Sequence, residues 1–214
     1  MALTLANLRY LTQYVVGDPQ MSTFSSQMYQ DAINFAIKDY AKKTEATYAE
    51  ATVTPDSNGF CTIPTSYIRI KRVSHLIGGT TLTQLVESTM SFESMKSEVW
   101  QAATGTPKRW VLWSGEKIKI TPIPSPAYSA TIGYIEDPTD LSADGSTVDS
   151  RIPIAHQEYL KYSAASWLYL LDGDSRDENK AIANMDKFNQ FIGYYDAVLD
   201  NKIQNTRTEG RREM

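Results

Sequence analysis

The feature that most limits what this chain can fold into is a double change of hydrophobic period. Leu5, Leu8, Leu11 and Val15, then Tyr29, Ala32, Ile33, Ala36, Ile37 and Tyr40, recur every three or four positions, the spacing of one helix face. From about Ala46 the pattern becomes short alternating runs between turn residues, as in YIRIKRVSHLI, RWVLW, KIKIT and YSATIGYI, which reads as strands. From Pro153 the helical period returns, first with His156, Tyr159, Leu160, Ser163, Ala164, Trp167, Leu168 and Leu171, then with Ile182, Met185, Phe188, Ile192, Tyr195 and Leu199. Each helix has a single apolar stripe to bury, and the simplest packing puts the four together. The expected fold class is α+β: a four-helix core of two N-terminal and two C-terminal helices, with an inserted antiparallel β-barrel or sandwich.

Punctuation sets the expected boundaries. Thr4 caps the first helix and Gly17-Asp18-Pro19 ends it, while Ser25 or Ser26 starts the second. Asn58-Gly59 bends a hairpin between ATVTP and FCTIP, the alternation slips at Arg72-Val73 as at a bulge, and Gly78-Gly79 marks a turn. Pro153 suits a first helical position, Gly173 a helix stop, and Ser175 with Glu178 a capping box. The resulting division is 1–45 for the first helical half, 46–150 for the β-rich insertion with a short helix near 91–100 and a polar loop at 136–150, 151–201 for the second helical half, and 202–214 as a flexible basic tail.

Composition narrows the chemistry. A net charge of −4 argues against a surface that grips DNA throughout, since phosphate binding needs clustered Lys and Arg. The single cysteine, Cys61, excludes an intrachain disulfide and a cysteine-based zinc site. The N-terminus lacks a basic stretch followed by an apolar one, and no apolar run approaches the ~18 residues of a span. The expectation is a soluble protein made in the cytoplasm, with no membrane partner.

No catalytic constellation emerges. His75 and His156 read as structural histidines, one in a strand and one on the apolar side of a helix, and a Cys61–His75 dyad has no local support. LDGDSRDEN at 171–179 lacks the spacing of a calcium loop, and the glycines lack the neighbours of a phosphate cradle. No catalytic residue, metal site or cofactor is expected.

Two stretches stand out as contact candidates. With Ser114-Gly115 as a two-residue bend, Val111, Trp113, Ile118 and Ile120 share one face, and Trp110, Leu112, Lys117 and Lys119 the other. Trp113 then reads as core. Trp110 reads as half-buried under lysine stems, as part of an inter-subunit or partner contact with Leu112, Lys117 and Lys119, or as a ring that stacks on a base or sugar. The tail holds Lys202, Arg207, Arg211 and Arg212 against Glu209 and Glu213, a charge of +2 that leaves −6 on the rest. It is either a solubilising end or a peptide that docks on an acidic partner.

The order of elements also carries a resemblance. Two amphipathic helices lead to Gly105-x-Pro107, Trp110 and Ile118-x-Ile120-x-Pro122-x-Pro124. A strand ending near Tyr134 and a polar loop follow, then an Ile152-Pro153 helix start with SAASWLYLL and a last helix with Phe188 and Phe191. This resembles the head–tail adaptor (connector) proteins of tailed bacteriophages over about residues 3–201. The resemblance implies a structural virion protein at the neck, assembled in the host cytoplasm. It implies a ring, commonly of twelve copies, with the portal protein on one side and a tail (nozzle or tube) protein on the other. DNA would pass through its lumen without sequence-specific binding, and the C-terminal cations would attach to the portal. The alternatives are another tail or baseplate component, a carbohydrate-binding module or, third, a cell-wall hydrolase.

Overall fold

The computed structural model describes residues 2–78, 80–96, 100–125, 128–171 and 177–209, the side chains of 95–96 and 194–209 excepted. The described residues fall into two compact units, one from Met1–Ala46 with Pro138–Met214, the other Thr47–Asp137. The turn glycine Gly79, the helix-stop Gly173 and the cap Ser175 lie outside the described residues.

The first unit is helical. Helix α1 (Leu5–Val16) starts on a Thr4–Asn7 capping box and stops at Gly17, whose φ of 75° lies in the left-handed region. Helix α2 (Ser26–Thr44) starts where Ser25 Oγ accepts from Met28 N. The chain returns through α4 (Ile154–Gln157), α5 (Leu160–Leu171) and α6 (Glu178–Glu209). The expected continuous helix from Pro153 is therefore broken between a single turn and α5. One apolar core holds Leu5 and Leu8 of α1, Ile33, Ala36 and Tyr40 of α2, Leu160, Ala164 and Leu168 of α5, and Phe188 and Ile192 of α6. On α6 the buried stripe runs through Ala181, Asn184, Phe188 and Ile192, while Ile182, expected inside, is 60% exposed. The backbone stays helical to Glu209, past the expected end near 201, so the first part of the residues read as a tail continues α6.

The stretch read as a polar loop of the insertion packs with this helical unit. Leu141, Val148 and Ile152 enter its core. Asn34 holds Leu141 through both N–H and C=O, Leu5 N donates to Ser146 O, and Val148 N donates to Leu3 O. The polar composition of 136–150 hides Leu141 and Val148, which with Ile152 just beyond are spaced too irregularly to show a period.

The second unit is one curled seven-stranded sheet in the order β1-β7-β3-β4-β5-β6-β2. Its strands are β1 (Tyr48–Val53), β2 (Phe60–Thr62), β3 (Tyr67–Ile77), β4 (Thr81–Ser88), β5 (Arg109–Ser114), β6 (Lys117–Thr121) and β7 (Ala130–Glu136), with helix α3 (Met90–Lys96) between β4 and β5. The expected wholly antiparallel block is corrected at one place: β4 and β5 run parallel, Val86 to Ser88 beside Arg109 to Val111. A parallel step needs a crossover, and α3 lies in it. Along β3 the register shifts between Tyr67 and Arg69 and between Ile70 and Arg72, just ahead of the slip expected at Arg72-Val73.

The Asn58-Gly59 turn exists, but its strands do not form a hairpin. Strand β1 pairs with β7, β2 pairs with β6, and β1 and β2 are the two ends of the sheet. Asp56 Oδ1 accepts from Asn58 N and Phe60 N, which closes the turn locally without a partner strand. The turn is then held from β6. Ile120 N donates to Gly59 O, and a Cβ on Gly59, whose φ is 78°, would lie 2.8 Å from Ile120 O.

Candidate interaction surfaces

The β5–β6 ribbon is where the sequence placed its first contact candidates, and its register reverses their faces. Ser114 pairs with Lys117, so the bend is Gly115-Glu116 and not Ser114-Gly115. The irregularity between Leu112 and Ser114 puts Trp113 in a bulge. Trp110 now opposes Ile120 and Leu112 opposes Ile118, while Val111 opposes Lys119. A one-residue slip moves every side chain to the other face. Trp110 is accordingly 4% exposed and packs with Cys61, Ile118, Ile120 and Val73. Trp113, expected in the core, is half-buried and meets Phe60 at 5.2 Å and Trp100 at 6.2 Å between ring centroids.

The four residues expected to share an exposed face therefore do not. Leu112 and Lys117 are exposed; Trp110 and Lys119 are buried. Lys119 is 2% exposed, its Nζ donating to Asn58 O at 2.5 Å and lying 4.3 Å from the centre of the Phe60 ring. Burial lowers its pKa, with Asp56 acting in the opposite direction. It is a lysine held by its own chain. Of the tail candidates, Lys202 and Arg207 lie on the helical backbone of α6 with side chains outside the described residues, as are Arg211 and Arg212 altogether.

The titratable groups weighed for chemistry are interior. Burial pushes the Cys61 thiol up to about 12, so it holds its proton and is a poor nucleophile. His75 is 1% exposed, and burial lowers its pKa against a smaller raising effect of the Tyr128 backbone. His156 is buried, shares a hydrogen bond through Nδ1 with the Tyr40 hydroxyl, and meets the Phe191 ring edge-on at 5.0 Å. Among the described residues no three His, Cys, Asp or Glu side chains could hold a metal ion, and no helix is long and apolar enough to cross a membrane.

Another surface escaped the sequence reading. In the helical unit a groove of about 520 Å³ runs between Leu11, Tyr14 and Val15 of α1, Lys161 and Tyr162 of α5, and Lys187 of α6. Leu11 and Val15, expected on the core face of α1, are each only half-buried. The available signal was the adjacent Lys161-Tyr162 pair and the Tyr10–Tyr14 spacing of four on the outer side of α1.

No curated protein matches the chain. A family model described as SU10 adaptor protein matches residues 3–212. That span takes in both compact units, the strand insertion together with the helices on either side of it, and the chain belongs to the SU10 adaptor protein family.

Proposed function

We propose that this phage adaptor is a structural virion protein of the head–tail region that acts as a neck ring subunit. It docks on the portal, receives the tail nozzle or tube protein on its other side, and encloses a lumen through which DNA passes. The observation that carries the reading is the family match over residues 3–212. The charge balance supports it: a chain of net −4 lets a duplex slide without adhering. Ring closure needs two different, complementary sides on each subunit, and twelve copies is the stoichiometry proposed. The helices α1, α2, α5 and α6 act as one four-helix platform, and Lys202, Arg207, Arg211 and Arg212 supply the portal contact. Leu112 and Lys117 remain available for a neighbouring subunit or the tail, whereas Trp110 and Lys119 are spent inside the strand unit.

The test mixes the purified protein with the portal of the same virus and examines the particles by negative-stain electron microscopy. An added ring on one end of the portal is expected. A bare portal beside free protein would refute the neck reading. Removal of residues 202–214 is expected to abolish docking, and retained docking would remove the role given to the C-terminal cations while leaving the ring.

A further inference from the structure

The groove of the helical unit combines three features. Its α1 wall is apolar and aromatic: Leu11 and Val15 are half-buried, Tyr14 is 82% exposed, and Tyr10 one turn earlier is 69% exposed. Its floor carries Tyr162, flanked by two lysines, with Lys161 Nζ 5.3 Å and Lys187 Nζ 5.5 Å from the ring centre. Its lining holds no carboxylate. A third lining lysine, Lys180, is already paired with Asp177 at 3.0 Å. Lys161 and Lys187 have no carboxylate partner among the described residues, so two like charges converge on one ring without an anion between them. Elsewhere on the helical unit Lys38 pairs with Asp140, Lys43 with Asp39 and Arg9 with Asp144.

We propose that this groove is a docking site for an acidic segment of a partner protein, one that sets an aliphatic or aromatic side chain against Leu11, Tyr14 and Val15 and a carboxylate between Lys161 and Lys187. Charge complementarity selects the occupant, because unmatched cations over an aromatic floor are relieved by an anion that also presents apolar surface. The volume suits a few side chains of a peptide. A nucleic-acid strand would need a continued row of cations along its phosphates, and the groove supplies two free ones. The proposal does not depend on the neck reading, so failure to dock on a portal leaves it standing.

The test measures fluorescence anisotropy of three fluorescein-labelled probes with the full-length protein. They are an acidic peptide with a central tryptophan, the same peptide with Gln and Asn in place of its acids, and a single-stranded oligonucleotide of similar length. Saturable binding of the acidic peptide is expected, weakened by high salt and by about tenfold or more in the Lys161→Glu/Lys187→Glu variant. A Lys42→Glu/Lys108→Glu variant serves as a control of equal charge change and is expected to bind as the parent does; circular dichroism checks that both variants fold. Absence of acidic-peptide binding, equal binding of the neutral peptide, tighter binding of the oligonucleotide, or equal loss in both variants would each overturn the proposal. So would self-association that competes with the peptide, which would assign the groove to a second copy of this chain.

Discussion

Trp110 and Trp113 sit three residues apart on β5, and replacing each by alanine separates the observed register from its one-residue alternative. Trp110 is 4% exposed in the core of the sheet unit. A buried aromatic of this kind removes about 150–250 Å² from water, which at about 25 cal/mol per Å² corresponds to about 4–6 kcal/mol. Large-to-small core changes at tryptophan fall at about 3–5 kcal/mol, so about 4 kcal/mol is expected for Trp110→Ala. Trp113 is half-buried in a bulge, and its ring contacts are Phe60 and Trp100. Each aromatic pair contributes about 0.5–1.5 kcal/mol beyond area, and Trp113→Ala is expected to lose about 1–2 kcal/mol. The difference of about 2 kcal/mol is measured by urea unfolding at neutral pH, followed by far-ultraviolet circular dichroism and by fluorescence of the remaining tryptophans. With two cores in the chain, the comparison is made on the transition that both substitutions move. Equal losses, or a larger loss at Trp113, would refute the register and return Trp110 to the surface.

Two further perturbations address the helical unit and the buried histidines. Asp18 is 5% exposed and accepts from the backbone N–H groups of Ser22, Thr23 and Phe24 and from the Tyr29 hydroxyl. Burial raises its pKa, but the hydrogen bonds from Phe24, Ser22 and Thr23 outweigh that and hold it below the usual carboxylate range. Asp18→Ala strands these donors and is expected to destabilise by about 2–4 kcal/mol, with Asp18→Asn recovering part; a loss under about 0.5 kcal/mol would show that the loop finds other acceptors. For pH, burial lowers the pKa of both His75 and His156, so each stays neutral in the folded state below the point where the unfolded chain takes up a proton, near about pH 6.5. The unfolded state then binds more protons, and stability is lost as pH falls below about 6.5, at up to about 1.4 kcal/mol per unit for each histidine. Urea midpoints are expected to be flat from pH 8 to 7 and to fall towards pH 5; a midpoint that rises on acidification would sink this assignment.

What the sequence made legible is local. The Thr4 and Ser25 caps, the Gly17 stop and the apolar spacing of α2 depend on residues within a turn or two of one another, and the structure uses them as expected. The misreadings are pairings between distant residues. The Asp56–Phe60 turn is written in its own side chains, but whether its strands meet depends on β6 and β7, about 60 and 80 residues further on. Competing two-residue bends at Ser114-Gly115 and Gly115-Glu116 look alike in sequence, and the choice between them decides which tryptophan is inside. Irregular apolar residues such as Leu141, Val148 and Ile152 show no period, so their place in the helical core is invisible until Asn34 and Leu3 are seen to hold the loop.

Lysine shows why the candidate surfaces were harder to read than the fold. Lys117 and Lys119 stand two apart in KIKIT, on one side of a strand, and a charged pair in that position reads as solvent face. Only Lys117 stays in water. Lys119 is enclosed because the distant turn brings the Asn58 carbonyl to its Nζ and the Phe60 ring beside it. Lys161 and Lys187 reach the opposite state by the same kind of long-range accident: 26 positions apart, they meet at Tyr162 because α5 and α6 pack together. A cation can recruit a partner only if it is both solvated and unmatched, and neither property belongs to the residue type. Lys119 fails both conditions, being desolvated and already bonded, so its charge is used up in fixing the turn to β6. Lys161 and Lys187 meet both at a single ring, which is the basis for the recognition surface proposed on α1, α5 and α6.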